Sequence, residues 1–280
     1  MHMQKLPIGL WAQEGVNFLT KIFESQFRFF SESISGIIEH VISILMWFPV
    51  WSFIVINLVI IYIFNRSLKN ILLIGFCFFA IFNLGYWEET LETLTLVLFA
   101  TITSIVIGVP LGILCAHHHF IYSFMRPILD LMQTIPTFVY LIPTLMLFGL
   151  GMAPGLISTI IFAMPAVIRL TYLGVQSVPT SLLEVADSFG ASTRKKLFSV
   201  EIPYAWQSIK TGVSQCMMLS LSMVVVAALV GADGLGKPVV QALNTVNIAK
   251  GIEAGMSIVL LAILLDRIFS HSERKLGATK

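Results

Sequence analysis

The sequence predicts an all-α, polytopic membrane protein. Apolar residues make up 57% of the chain and charged residues only 11%, against about a quarter charged in soluble domains. The mean hydropathy is +0.90. The apolar residues also run together in stretches long enough to cross a bilayer, rather than alternating as strands do. The net charge of +2 is nearly neutral. Nothing in its distribution points to nucleic acid.

Taken in order, residues 1–40 read as an extracytoplasmic, interfacial segment. From Asn17 to His40, Leu19, Ile22, Phe23, Phe27, Phe30, Ile34, Ile37 and Ile38 share a helical face opposite Lys21, Glu24, Arg28, Glu32 and Glu39, the pattern of a helix lying in a membrane surface. Residues 41–86 supply two further spans, about 41–64 with Pro49 inside it, and about 70–86. Residues 87–270 hold the rest: about 91–116, with Gly108 and Gly112 spaced for close helix approach, then about 128–150, 155–175, 209–231 and 252–269. Seven spans result, with Met152 to Gly155 as a tight turn and 271–280 as a tail. Nothing at the N-terminus has the order of a cleaved signal peptide.

Lysine and arginine fix an orientation. With the polar stretch 181–203 inside, twelve of them lie on the cytoplasmic side, including Arg66, Arg126, Arg169, Arg274, Lys275 and Lys280. Five lie outside: Lys5, Lys21, Arg28, Lys237 and Lys250. The excess of inside charge places the N-terminus outside and the C-terminus in the cytoplasm.

The stretch 181–203 is the one long polar segment of the C-terminal half. Ser181 and Glu184 have capping-box spacing, and Leu182, Val185, Ala186 and Phe189 share a face. Gly190 occupies the left-handed end of a helix, Ser192 or Thr193 caps the next, and Pro203 stops it. Glu184, Ala186, Gly190, Val200, Ile202 and Pro203 together resemble the signature loop of permease subunits in binding-protein-dependent ABC importers. The departures are Val185 for Ala, Val200 for Ile and Ile202 for Leu.

The resemblance implies a type I ABC importer permease fold in the inner membrane. It also implies a homodimer of permeases on two ATPase subunits, with cargo delivered by an extracytoplasmic substrate-binding protein. The loop is then the coupling helix that docks on the ATPase. Lipid surrounds the spans, and ATP is bound by the partner, so this chain needs no cofactor and is not itself an enzyme.

Three more stretches narrow the resemblance: Asp130 to Pro143, Leu221 to Gly236, and Leu264 to Arg267. They are similar to the branch that takes up glycine betaine, proline betaine, choline and carnitine, the quaternary amines used as compatible solutes in osmoprotection. In that family selectivity resides mainly in the binding protein. A quaternary ammonium is held by aromatic faces, which marks Pro136, Phe138, Tyr140 and Pro143 as a candidate translocation path. Helix packing is the competing role for those aromatics.

Other patterns lead elsewhere. Gly231 to Lys237 matches the start of a nucleotide-binding loop, but Pro238 stands where Ser or Thr would bind magnesium; it reads as a flexible external turn. His117, His118 and His119 lack an acidic or cysteine neighbour in sequence and read as a surface loop, not a metal site. Glu88, Glu89 and Glu92 suit a solvated helix start. Cys77, Cys115 and Cys216 are scattered through apolar runs, without metal or disulfide spacing. The span centres lack the ionisable residues an ion-coupled transporter uses, and no catalytic grouping is visible.

Overall fold

A computed structural model describes residues 8–65 and 68–270; Lys5, Arg66 and the tail with Arg274, Lys275 and Lys280 lie outside the described residues. Every regular element among them is helical: α1 Ile8–Trp47, α2 Val50–Asn65, α3 Leu68–Leu84, α4 Trp87–His117, α5 His119–Thr134, α6 Thr137–Phe148, α7 Met152–Gln176, α8 Thr180–Ser188, α9 Thr193–Lys196, α10 Ile202–Ala228, α11 Gly236–Asn244 and α12 Ile248–Ser270. A π-helical turn, Leu197–Glu201, joins α9 to α10.

The centre of the bundle is α4, α7 and α10. Between lipid-soluble helices there is little hydrophobic driving force, so close backbone approach at small residues does the packing. Gly112 of α4 meets α7 so tightly that an added Cβ would lie 2.7 Å from Thr171 Cβ, and one at Gly174 of α7 would lie 2.8 Å from Ser208 Cβ of α10. The close approach expected of Gly108 and Gly112 is therefore an α4–α7 contact. A second apolar cluster, Ile54, Ile74, Phe78, Ile81 and Leu264, gathers α2, α3 and α12 beside this centre.

Several expected boundaries shift. Among the described residues, five helices are long and apolar enough to cross a membrane, or six if α5 and α6 form one broken span, against the seven anticipated. The stretch 41–64 is not one span: α1, kinked at Phe23 (φ −117°, ψ 18°), runs on from there without a break to Trp47, and the chain breaks just ahead of Pro49, whose ring excludes the preceding residue from helix. Of the predicted α1 stripe, Ile34 and Ile38, with Ile42, pack onto Leu96, Ala100, Met152 and Leu156. Ser31 donates a hydrogen bond to the Phe148 carbonyl at 2.8 Å. The stretch 128–150 is likewise two helices, α5 and α6, bent by 98°.

Met152 to Gly155 is the first turn of α7 rather than a tight turn, since proline is tolerated where the first helical amides lack partners anyway. The reversal lies just before it, where Gly149 (φ 78°) and Gly151 (φ 131°) take left-handed geometry. Finally, Pro203 does not stop a helix. It sits in the first turn of α10, and α9, the π-helical turn and α10 run together from Thr193 to Ala228.

Candidate functional site

The two ends of the bundle differ, and the α8 end carries the signature residues. Pro179, extended at φ −59° and ψ 135°, sets the start of α8 at Thr180. Ser181 is thus inside the helix, no side-chain cap forms, and the expected box with Glu184 is absent; Glu184 faces solvent. The far end of α8 behaves as its glycine predicts. Gly190 has φ +68°, its amide donates to Asp187 O (2.9 Å), and the Ala191 amide reaches back to Ala186 O (3.0 Å). Those two bonds are the paired closure of a left-handed helix terminus.

The turn then opens into α9. Ser192 caps it by accepting from the Lys195 amide. Lys196 Nζ crosses the turn to Asp187 at 2.8 and 3.1 Å, tying α9 to α8. Leu182, Val185 and Phe189 point outward from α8, with Phe189 86% exposed, and Phe198 is exposed beyond the turn. These side chains leave an open apolar face on a polar element at the bundle's end.

The π-helical turn explains why proline is accommodated at 203. Its wide ring has the Ile202 amide bonding to Leu197 O, which loosens the turn that the Pro203 ring would otherwise crowd. Val200 and Ile202 flank it, half-buried, while Glu201 is buried. His117 Nε2 at the end of α4 stands 2.8 Å from Glu201 Oε2, an ion pair when the imidazole is protonated, though not aligned as a hydrogen bond. Gln176 Nε2 donates to Ala116 O at 2.7 Å. The base of the polar element is therefore fastened to α4 from both of its flanks. Of the histidine triplet, His118 is the extended break between α4 and α5 and His119 begins α5.

The other candidate residues lie at and beyond the α5–α6 break. Ile135 and Pro136 are both extended (ψ 130° and 134°), as expected of a residue before proline. Pro143 lies inside α6 without breaking it. Tyr140 is turned inward, and its hydroxyl donates to Met132 O (2.8 Å) and reaches Leu131 O (3.1 Å), capping the bare end of α5. Phe138 faces out, 58% exposed. Only Pro136 is at the break itself; Phe138, Tyr140 and Pro143 follow in α6 without sharing one face, and Tyr140 works as a strut.

At the α11 end, the stretch 231–237 is pinned rather than flexible. Thr93 Oγ1 accepts from the Leu235 amide (2.8 Å) and Lys237 Nζ pairs with Asp233 (2.6 Å). A Cβ at Gly236 would fall 2.3 Å from Val224 O. The neighbouring Asp233 carboxylate raises the pKa of the Lys237 ammonium and keeps it charged. Glu88, Glu89 and Glu92 line a cleft of about 310 Å³ with Asp233, Lys237 and Lys250. A second, of about 550 Å³, is bounded by the polar face of α1 (Glu24, Arg28, Glu32, Glu39) and the Gly149–Gly151 reversal.

Sequence reasoning missed Asp187, His117 with Glu201, and the strut role of Tyr140. Only the Asp187–Lys196 pair left a legible trace, as opposite charges flanking the glycine turn.

Comparison with known proteins agrees with this geometry. The model of the family described as "Binding-protein-dependent transport system inner membrane component" matches residues 108–278. The chain is 41% identical over 273 residues to the glycine betaine/carnitine transport permease protein GbuB of Listeria monocytogenes, covering 96% of each chain. It is 40% identical over 274 residues to the glycine betaine transport system permease protein OpuAB of Bacillus subtilis, covering 98% of this chain and 96% of that one. It is 40% identical over 273 residues to the glycine betaine/proline betaine transport system permease protein ProW of Escherichia coli, covering 95% and 75%. Among solved structures, inward-facing conformations of the MetNI methionine ABC transporter superpose with TM-scores of 0.60 and 0.61 at 20% identity, the first covering 68% of this chain and 94% of that one.

Proposed function

The chain belongs to the inner-membrane permeases of binding-protein-dependent ABC importers, and from that premise we propose that its cargo is glycine betaine or a related quaternary amine. It is a multi-pass transport subunit, and ATP hydrolysis lies on a separate subunit. The observation that carries the cargo reading is identity of 40% or more, over nearly the whole chain, to permeases named for glycine betaine.

In this reading two copies of the chain pair, and the element from Glu184 to Pro203 docks its open apolar face on the ATPase. The mechanical support is the continuity from Thr193 to Ala228: α9 is the lower end of the same rod that crosses the bundle as α10. ATPase closure drags α9, α10 follows, and the clamp of His117 and Gln176 carries the movement to α4. Transport is then alternating access powered by a partner. The N-terminus lies outside, the C-terminus in the cytoplasm, and the binding protein meets the α11 end with its two polar clefts.

The test is uptake into proteoliposomes holding the permease, its ATPase and its binding protein. Radiolabelled glycine betaine should enter only with ATP, and unlabelled carnitine or proline betaine should compete where an amino acid or sulfonate does not. Uptake driven by an ion gradient without ATP would overturn the mechanism, and preference for a solute without a quaternary nitrogen would overturn the cargo. Reporter fusions at Gln13 and Lys280 should report opposite compartments; the same compartment for both would overturn the orientation.

A further inference from the structure

Between α5 and α7 lies a small cavity of about 240 Å³. Two stripes face each other across it. Tyr122, Arg126 and Asp130 recur every four residues along α5, while Arg169 and Tyr172 stand one turn apart on α7, all five lining the space. The rings of Tyr122 and Tyr172 stack face to face, with centroids 3.7 Å apart and planes within 6°. Arg169 is paired with Asp130. Among the described residues no carboxylate lies within ion-pair distance of Arg126.

Each part has a chemical consequence. Parallel rings in register oppose their negative faces, an arrangement aromatic pairs avoid in favour of offset or edge contacts. A cation against the outer face of either ring offsets that repulsion and gains attraction of its own. Asp130 lies beyond Arg126, about two turns of helix from Tyr122, and is already neutralised by Arg169. Arg126 is a planar donor fork without a carboxylate partner among the described residues, the geometry that carboxylates fit. The cavity thus offers an aromatic end with the Arg126 fork about one turn of helix away. Its complement is a small molecule with a permanent cation and a carboxylate a few bonds apart.

Resting on the cargo reading above, we propose that this cavity is a solute subsite within the permease itself, holding a betaine-type zwitterion with its quaternary nitrogen on the tyrosine pair and its carboxylate on Arg126. The subsite gives the permease a selectivity of its own, beyond delivery by the binding protein. Choline, which has the cation and no carboxylate, engages only the aromatic end.

That difference supplies the test. Saturation-transfer NMR on the permease–ATPase complex, purified in a maltoside detergent without binding protein, reads the trimethylammonium methyl signal of glycine betaine or choline. Both solutes should show transfer on the wild type. Tyr172→Leu should weaken both by roughly tenfold, between the worth of an exposed and of a desolvated cation–π contact, and Tyr172→Phe, which keeps the ring, should restore them. Arg126→Gln should weaken glycine betaine and leave choline unchanged.

Equal loss of the two solutes in Arg126→Gln, or no loss in any variant, overturns the subsite. Wild-type uptake of glycine betaine with no saturation transfer overturns the subsite and leaves the cargo reading standing; absence of ATP-driven uptake of any quaternary amine removes both. Phosphatidylcholine nanodiscs that silence the signal where phosphatidylglycerol nanodiscs do not would identify a lipid-headgroup site, and that result also overturns the proposal.

Discussion

Replacing Gly112 by alanine tests the packing that holds the bundle together. The added methyl would lie 2.7 Å from Thr171 Cβ, 2.9 Å from Thr171 Cγ2 and 2.8 Å from the Ile168 carbonyl oxygen. Carbon atoms rest about 3.5–4.0 Å apart, so α4 and α7 must separate there by roughly 1 Å. No rotamer change avoids this, because one obstacle is backbone and another is a Cβ. Overpacking of that kind costs about 1–3 kcal/mol, and the gain in helix propensity returns about 1 kcal/mol. The net is a loss of up to about 2 kcal/mol. Gly108, on the same face, is different: its methyl would meet Val167 at 3.2 Å, a contact relieved by a few tenths of an ångström, so Gly108→Ala should be near neutral. Thermal melting of the purified complex, followed by size-exclusion elution, compares the two. Gly112→Ala should melt lower than wild type and Gly108→Ala close to it. Equal melting of the two variants, or the reverse order, would refute the argument.

Two further predictions concern single side-chain contacts. Tyr140→Phe removes the hydroxyl that closes the end of α5 and should lower stability by about 0.5–1.5 kcal/mol without removing the bend, which Pro136 sets; equal melting would show that the strut carries nothing. His117→Ala strands a buried carboxylate, so it should destabilise more than the double variant His117→Ala with Glu201→Gln, in which that charge is gone. Additive losses in the double-variant cycle would show that the two residues do not interact.

The legible parts of the fold were those governed by local chemistry or by bilayer thickness. Gly190 could be read because a left-handed helix end demands glycine whatever surrounds it, and Ser192 because its cap is three residues away. The prolines could not be ranked. Pro110, Pro143 and Pro165 lie inside helices, whereas Pro49 and Pro136 mark breaks, the latter with Tyr140 bonded back to α5. Pro203 misled because a terminator and a first-turn proline look alike until the π-helical turn before it is seen. Glu201 pairs with a histidine from another span, and the Tyr122–Tyr172 stack joins two helices; neither contact leaves a periodic trace in the chain. For α1, the amphipathic pattern gave the helix but not its length, since nothing between His40 and Trp47 interrupts it.

The central claim is that the Glu184–Pro203 element links the ATPase mechanically to the spans, and Gly190→Val tests it most directly. A β-branched residue is strained at φ +68°, and a Cβ there meets no neighbouring atom within 4 Å, so the damage is to the turn and not to packing. The measurement is glycine betaine uptake by Gly190→Val in proteoliposomes, alongside membrane abundance and co-purified ATPase. The account predicts a protein that reaches the membrane at normal abundance, holds less ATPase and transports poorly. Normal uptake by this variant would contradict it.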